Sequence, residues 1–197
     1  MSNLINMQDF AKQELASQLA AFSLPKYRID QIYSWLATYT PIMEMTNLPL
    51  DVREKLAKKF TSTPVEIVKV FKSKKDPTKK FLFKMQDGEI VEGVLMNYKY
   101  GNTLCISSQV GCRMGCKFCA SGLDGLIRNL SAGEILSEVL AVNKFEGGTL
   151  EDRKVTNIVL MGSGEPLDNY DNVVKFIKLV SSPDGINISQ RNISLST

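Results

Sequence analysis

The sequence predicts an α/β protein in which a helical module and a β-meander precede the first βα units of a parallel sheet. Three observations support this fold class. Apolar residues recur at helical spacing through residues 1–62, short strands separated by turn residues fill residues 63–104, and strand and helix alternate through residues 105–197. The alternation stops within a strand at the last residue, so we expect a truncated βα fold.

The first region is predicted to form three short helices. Apolar residues lie near one face of residues 7–22 and of residues 26–39, and a third helix is predicted over residues 50–60. Pro25 and Pro49 separate these segments, because proline is tolerated in the first turn of a helix but not in its interior. The module is too thin to bury a large core by itself.

Strands follow, and then βα units. Four strands are predicted over residues 65–106, separated by Asp-Pro, Asp-Gly and Gly-Asn turns, which indicates a β-meander. Ser131 and Glu134 have capping-box spacing at the start of a helix that runs to residue 145. A strand, a helix and a further strand follow over residues 155–197, an order that is typical of a parallel sheet with crossover helices.

Histidine is absent from the sequence, which has four cysteines and a net charge of +3. This excludes histidine metal ligands and the Ser-His and Cys-His nucleophile pairs, so thiolates must hold any metal. Acids and amides interrupt the apolar positions of the N-terminal segment, which therefore matches neither a signal peptide nor a membrane span. We expect a cytoplasmic protein without membrane contact, whose clustered cysteines bind metal or carry out redox chemistry.

Positive charge is concentrated in residues 53–84, which hold eleven Lys or Arg residues against Glu54, Glu66 and Asp76. The segment therefore carries a charge of +8, and the rest of the chain carries −5. Two interpretations are open. The lysines protect the edge of a solvated β-hairpin from aggregation, or they form a footprint for the phosphate backbone of a nucleic acid.

The segment QVGCRMGCKFCASG, residues 109–122, places three thiols in a C-x3-C-x2-C pattern. A structural zinc site would need Cys105 as a fourth ligand, and Cys105 lies in a predicted apolar strand, where it could be an ordinary buried cysteine. A disulfide is disfavoured by the expected compartment and by the odd number of thiols. Three thiolates on one short loop fit a cubane iron-sulfur cluster that leaves one iron open for another ligand.

A second motif, LMGSGEP at residues 160–166, follows a predicted strand. Open α/β sheets and barrels bind ligands at the carboxyl ends of their strands. Gly164 allows a ligand to approach the backbone closely, and Glu165 supplies a carboxylate. A glycine-rich turn is a weak signal alone, but it agrees with a ligand site beside the cysteines.

The cysteine pattern, with the aromatic Phe118 before the third thiol, resembles the signature of the radical S-adenosylmethionine (SAM) superfamily. The resemblance implies that residues 105–197 are the N-terminal part of a radical SAM barrel. It also implies a 4Fe-4S cluster held by Cys112, Cys116 and Cys119.

SAM is the second cofactor that the resemblance implies. Its predicted contacts are Gly164, Glu165 and Ser196, with the Glu165 carboxylate meeting the ammonium group of SAM. Phe118 can shield one face of the bound cofactor.

Longer stretches narrow the resemblance, among them TLCISSQVGCRMGCKFCASG, VTNIVLMGSGEPLDNYDNV and RNISLST. They are similar to the bacterial dual-specificity RNA methyltransferases, which methylate carbon 2 of an adenosine in 23S rRNA and tRNA through a methyl-cysteine intermediate. The resemblance implies that residues 1–62 and the basic strands dock RNA. It also implies an electron donor such as flavodoxin or ferredoxin, and a monomer at full length.

Two further residues take catalytic roles from this resemblance. Glu92 falls at the position of the proton acceptor, and Cys105 at that of the thiol that forms a transient disulfide with the methyl-carrying cysteine. Glu92 also shares strand parity with Val94 and Met96, and a carboxylate on an apolar face must be paired, perturbed or functional, although an edge-strand solubility charge would also explain it. No cysteine follows Cys119, so the methyl carrier is missing and we expect this chain not to complete the reaction.

Two other functions stay open from the sequence. The chain could be a non-catalytic RNA-binding module in which residues 1–100 carry the function, or part of a radical SAM enzyme that acts on a peptide or small molecule. The iron content and the RNA affinity of the protein distinguish the three hypotheses.

Overall fold

The computed structural model describes residues 4–197, and their first part is a helical module closed by two short strands. Its elements are β1 (Ile5–Asn6), α1 (Lys12–Gln18), α2 (Lys26–Ala37), α3 (Leu50–Ala57) and β2 (Phe60–Thr61). β1 pairs with β2 in parallel, which joins the two ends of the module. The sequence pattern predicted the helices but not this pair of strands.

The helix predicted over residues 7–22 is interrupted. 3-10 turns cover Met7–Asp9 and Ala20–Phe22, and only α1 between them is α-helical. The backbone is extended at Ala11, where the Glu14 carboxylate accepts a hydrogen bond from the Ala11 N–H at 2.9 Å and starts α1. The apolar spacing was nevertheless correct, because the module buries a hydrophobic core of its own, which includes Leu15 and Leu19.

One six-stranded sheet contains both the meander and the parallel strands. The remaining strands are β3 (Glu66–Lys72), β4 (Lys79–Lys84), β5 (Ile90–Tyr98), β6 (Gly101–Ile106), β7 (Gln109–Gly111), β8 (Leu126–Asn129), β9 (Asn157–Leu160) and β10 (Ile193–Leu195). The order across the sheet is β10-β9-β6-β5-β4-β3. β3 to β6 pair antiparallel, as the meander requires, whereas β6, β9 and β10 are parallel. β6 serves both parts, so the boundary predicted after residue 104 divides a strand.

Two helices, α4 (Ala132–Phe145) and α5 (Tyr170–Val180), pack with the sheet in the main hydrophobic core. The predicted capping box begins α4: the Ser131 hydroxyl accepts from the Glu134 N–H at 3.1 Å, and the Glu134 carboxylate accepts from the Ser131 N–H at 2.9 Å. The core side of the sheet includes Leu104 and Ile158, both fully buried.

The opposite face of the sheet is open. Along β5, Val91 and Leu95 are buried, whereas Glu92 is exposed and Val94 and Met96 are half-buried. The predicted parity of Glu92 is therefore correct, but its face is not a closed apolar interior. β5 is also a central strand, which rules out the interpretation of Glu92 as an edge-strand charge.

The helical module is attached to the core by several polar contacts. The Asp9 carboxylate accepts from the Gly133 N–H on α4 at 2.6 Å, and the Lys144 ammonium donates to the Tyr39 carbonyl at 2.9 Å. The Tyr39 hydroxyl also donates to the Val65 carbonyl at 2.7 Å. Within residues 4–197, no helix is both long and apolar enough to cross a bilayer.

Candidate cluster and nucleotide site

The carboxyl ends of the three parallel strands β6, β9 and β10 meet at one edge of the sheet. The segment after β6 leads through β7 into the cysteines, the segment after β9 is the GSGEP motif (residues 162–166), and Ser196 directly follows β10. The Ser196 N–H donates to the Leu160 carbonyl at 3.0 Å, which holds the end of β10 beside the start of this motif. The topology therefore brings the two predicted motifs and Ser196 to the same edge.

The cysteines lie on the sulfur loop, residues 112–125, which connects the antiparallel strands β7 and β8. The Cys112 N–H donates to the Gly125 carbonyl at 3.0 Å and closes the base of the loop. Gly111 has a φ of 76°, and a Cβ there would lie 2.0 Å from the Gly125 carbonyl oxygen. Glycine is therefore required at position 111, because any side chain would force the base of the loop apart.

All four thiols are free, and those of the sulfur loop are accessible. Cys112 is half-buried, and Cys116 and Cys119 are exposed. The Ser121 backbone N–H and hydroxyl lower the pKa of the Cys119 thiol by hydrogen bonding to its sulfur. Thiolate is the form that binds metal, so this local geometry favours the ligating state.

The GSGEP motif turns sharply at the end of β9. Gly164 has a φ of 98°, a conformation that favours glycine. The Glu165 carboxylate accepts from the Leu167 N–H at 2.9 Å, as an N-cap of the following 3-10 turn. Ser163 is held by the segment after β6, since its N–H donates to the Ser107 hydroxyl at 2.9 Å and its carbonyl accepts from the Ser108 N–H at 2.9 Å.

Phe118 lies on the sulfur loop with 94% of its surface exposed, so in this structure it does not pack against the protein. Ser196 is exposed as well. The Phe118 ring is therefore free to cover a ligand bound beside the thiols.

Cys105 and Glu92 flank the edge on the open face of the sheet. Cys105 is the next-to-last residue of β6, and its thiol lies 3.9 Å from the Gly162 carbonyl oxygen. Burial raises the pKa of the Cys105 thiol. The Glu92 carboxylate pairs with the Lys80 ammonium at 2.6 Å, and the Ser107 hydroxyl donates to the Glu92 carbonyl at 2.9 Å. Ser107 thus links Glu92 to the GSGEP motif.

Sequence reasoning missed three polar residues behind this edge. Gln109 and Glu138 are both fully buried, and Asp168 forms an ion pair with Arg113 of the sulfur loop. The Glu138 carboxylate accepts from the Ser107 N–H at 3.2 Å. Glu138 carried a usable signal, since it lies within the apolar stripe of α4, where an acid must be buried or bonded.

Comparison with known proteins shows which family this site belongs to. Residues 106–197, which include the sulfur loop, the GSGEP motif and Ser196, match the family model described as the Radical SAM superfamily. This segment of the chain is a domain of that superfamily. Radical SAM proteins use a 4Fe-4S cluster and SAM, so the prediction of both cofactors is confirmed.

Curated relatives match nearly the whole chain. Proteins from Clostridium botulinum (strain Alaska E43 / Type E3) and Lachnoclostridium phytofermentans, each named "Probable dual-specificity RNA methyltransferase RlmN", are 48% and 49% identical over 98% of this chain. A similarly named protein from Clostridium novyi (strain NT) is 47% identical over 100% of it. These relatives confirm the resemblance to RNA methyltransferases that the motifs indicated.

A solved structure extends the comparison to the fold. The crystal structure of a radical SAM methyltransferase from Sphaerobacter thermophilus is 38% identical, with a TM-score of 0.90 over 98% of this chain and 57% of that chain. The chain spans about half the length of the relatives it matches, at 53% to 56% of each of the three curated proteins.

The donor set of this radical SAM domain fits an iron-sulfur cluster. The three loop thiols are free, and the sequence offers no imidazole to compete with them. Within residues 4–197, no three cysteine or carboxylate side chains already converge in the arrangement of a metal site. Gly115, with a φ of 69°, lies directly before Cys116 in this irregular loop, in a conformation that favours glycine.

Proposed function

We propose that this chain is part of a radical SAM RNA methyltransferase that methylates carbon 2 of an adenosine in 23S rRNA and tRNA. One observation carries the proposal: the three-thiol loop and the GSGEP motif lie at one edge of the sheet, in a chain similar over 98% of its length to proteins named as dual-specificity RNA methyltransferases. The geometry of the sheet edge supports the proposed site, and the names of the relatives support the proposed substrate class.

The residues of the sheet edge divide into two groups in this proposal. Cys112, Cys116 and Cys119 hold the cluster as thiolates, while Gly164, Glu165 and Ser196 contact SAM and Phe118 covers the bound cofactor. When bound, the cluster would supply the electron for reductive cleavage of SAM. One Glu165 carboxylate oxygen accepts from the Leu167 N–H, and the other would accept a charge-assisted hydrogen bond from the ammonium group of SAM.

Glu92 and Cys105 serve the later steps in the proposal. Glu92 is held at the sheet edge by its ion pair with Lys80 and accepts a proton from the methylated adenine ring. Cys105 forms the transient disulfide with the methyl-carrying cysteine during product release. The sequence has no cysteine after Cys119, so we expect these 197 residues to bind the cofactors without completing methyl transfer.

RNA binding in the proposal uses the helical module and the basic hairpin, defined as β3, β4 and their connecting turn. Lys72, Lys74 and Lys75 are exposed at this turn, and the Lys69 ammonium lies 4.7 Å from the centre of the Phe71 ring. Lysine beside an exposed aromatic ring suits the phosphates and bases of RNA. β3 is also an edge strand, so its lysines protect it from pairing with another chain.

We also propose the cellular setting. A cytoplasmic location suits the free thiols, an electron donor such as flavodoxin or ferredoxin reduces the cluster, and the full-length protein acts as a monomer.

Anaerobic reconstitution tests the proposed function. The protein should take up about four irons per chain, become brown and give the electron paramagnetic resonance (EPR) signal of a reduced 4Fe-4S cluster. Changing Cys112, Cys116 or Cys119 to alanine should abolish iron binding, while Cys105→Ala should retain it. A colourless protein with one zinc contradicts the proposal.

The second candidate function is a non-catalytic RNA-binding module, which the exposed lysines of the basic hairpin favour. RNA binding by the same reconstituted protein distinguishes it from the enzyme. That module predicts RNA affinity that falls steeply with salt and is unchanged when all three loop cysteines become alanine, together with no cluster in the unmodified protein. RNA affinity without iron therefore supports the module over the enzyme.

A further inference from the structure

We propose that Gln109 is a positioning residue that, together with Asp168, fixes the position of the sulfur loop relative to the GSGEP motif. The inference rests on the proposed function, because it concerns the alignment of the cluster with SAM. Gln109 is fully buried, opens β7 and lies three residues before Cys112.

The Gln109 amide is bonded on three sides. Its Oε1 accepts from the Glu165 N–H at 2.9 Å, and its Nε2 donates to the Asn129 amide oxygen at 2.8 Å and to the Asp168 carboxylate at 2.9 Å. Both N–H groups of the amide are therefore used. The Gln109 side chain therefore connects Glu165, the residue proposed to bind the SAM ammonium, to β8 and to the turn after the motif.

Glu165 and Asp168 determine the orientation of the Gln109 amide. The Glu165 N–H can only donate, and the ionised Asp168 carboxylate can only accept. A reversed amide would place two donors together at Glu165 and two acceptors together at Asp168. Glutamine is thus the residue whose donors and acceptor match this position, whereas glutamate and leucine do not.

Asp168 continues the connection to the sulfur loop. Its second oxygen pairs with the Arg113 guanidinium, and Arg113 directly follows the first cluster cysteine. The Asp168 side chain is 11% exposed and that of Arg113 is 64% exposed, so the inner half of the connection is better shielded from water. Arg113 and Gln109 both lower the pKa of Asp168, in agreement with an ionised carboxylate.

Gly164 fits the same arrangement. A Cβ on Gly164 would lie 2.6 Å from the Gln109 Cβ and 2.8 Å from its backbone nitrogen. Gln109 therefore occupies the space that a side chain at position 164 would need. The glycine of the motif serves this close approach between the two segments as well as approach by a ligand.

A charge-swap series tests the proposal on the anaerobically reconstituted protein. Gln109→Glu keeps the side-chain shape but sets a carboxylate against Asp168, and it should weaken SAM binding at least about tenfold while leaving four irons per chain. It should also reduce the change that SAM causes in the EPR spectrum of the reduced cluster. Adding Asp168→Asn restores a donor at this contact and should recover most of the affinity.

Matched controls complete the series. Gln190→Glu makes the same change at an exposed glutamine and should leave iron content, SAM affinity and EPR spectrum unchanged. Gln109→Leu removes all three side-chain hydrogen bonds and should not be recovered by Asp168→Asn.

The outcomes separate the inference from the proposed function. Failure of the unmodified protein to bind a cluster or SAM defeats the proposed function. A normal unmodified protein together with unchanged SAM affinity in Gln109→Glu overturns the positioning role. The positioning role is also overturned if Gln109→Glu loses SAM affinity and Asp168→Asn fails to recover it, whether or not iron is lost as well. Rescue by Asp168→Asn is the result that distinguishes a positioning residue from a merely structural one.

Discussion

The Asp9 carboxylate accepts a hydrogen bond from the backbone N–H of Gly133 at 2.6 Å, across 124 residues of sequence. Asp9 belongs to the helical module and Gly133 to the first turn of α4, whose N-terminal N–H groups need acceptors. Burial raises the pKa of Asp9, and the bond from Gly133 acts in the opposite direction. This contact positions the helical module beside the radical SAM domain.

Gly133→Ala should destabilise the protein by about 1 to 3 kcal/mol, because overpacking a close contact forces the backbone to shift. A Cβ at this position would lie 2.5 Å from the Asp9 nitrogen and 2.6 Å from the Gln8 carbonyl carbon. The helix propensity of alanine alone would act in the opposite direction. Urea unfolding measures the change in the free energy of unfolding.

Gly185→Ala is the matched control: its Cβ would lie 3.5 Å from the Leu179 carbonyl oxygen, an ordinary van der Waals distance, so the effect should stay within about 0.5 kcal/mol. Equal stability of Gly133→Ala and the unmodified protein would show that the module does not pack this closely on α4.

Glu138→Gln should remove a pH dependence of stability. Burial raises the pKa of Glu138 well above its ordinary value, and within residues 4–197 its Oε1 has no hydrogen-bond partner. Between the ordinary and the raised pKa the folded protein holds a proton that the unfolded chain has lost, so stability falls as pH rises through this window, by up to about 1.4 kcal/mol per pH unit.

The measurement is a series of urea unfolding curves from pH 4 upward for both proteins. The glutamine variant keeps an acceptor for the Ser107 N–H and should become the more stable of the two as pH rises. Parallel pH profiles would mean that Glu138 ionises normally in the folded protein.

Cys105 should be the slowest of the four thiols to react with iodoacetamide in cluster-free protein. Thiolate is the reactive form, and burial both shields the Cys105 sulfur and raises its pKa, whereas the pKa of Cys119 is lowered. Mass spectrometry of alkylated peptides gives the rate at each site, and Cys119 should approach its maximal rate at a lower pH than Cys105. Alkylation of Cys105 as fast as Cys116 at neutral pH would contradict the assigned environment.

Replacing Lys72, Lys74 and Lys75 together by glutamate should weaken RNA binding and make it less dependent on salt. Each lost phosphate contact should reduce the slope of log affinity against log salt by about 0.7 for single-stranded RNA. Filter binding at several salt concentrations measures both quantities. Lys178→Glu, at an exposed lysine on α5, is the control; it changes the charge by 2 instead of 6, so a loss of affinity about one third as large would mean that net charge rather than the basic hairpin determines affinity.

Much of the fold could be predicted from local pattern. The capping box of Ser131 and Glu134, the meander and the parallel strands follow from spacings of a few residues, because hydrogen bonds in a helix turn and alternation along a strand are local. The interruption of the helix at Ala11 was missed, since apolar spacing reports which face is buried and not whether the backbone between buried residues stays helical.

The candidate site was predicted by residue type but not by arrangement. The thiol spacing indicated a cluster because three ligands of one kind within eight positions have few other uses. Gln109 and Asp168 gave no such signal, as a glutamine at the start of a strand is unremarkable until its partners, Glu165 and Asn129, are brought to it from distant parts of the chain.

The sequence by itself determined the chemistry available to this protein: three clustered thiols, no imidazole, a glycine-rich turn with a carboxylate, and a basic segment. Only the tertiary structure decided which of these groups meet. Parallel pairing of β6, β9 and β10 aligns their carboxyl ends. Gln109 and Glu138 are buried behind these ends, so their polar groups form hydrogen bonds with the protein instead of with water. Contacts between segments far apart in sequence depend on the packing of the whole sheet, which no local pattern encodes.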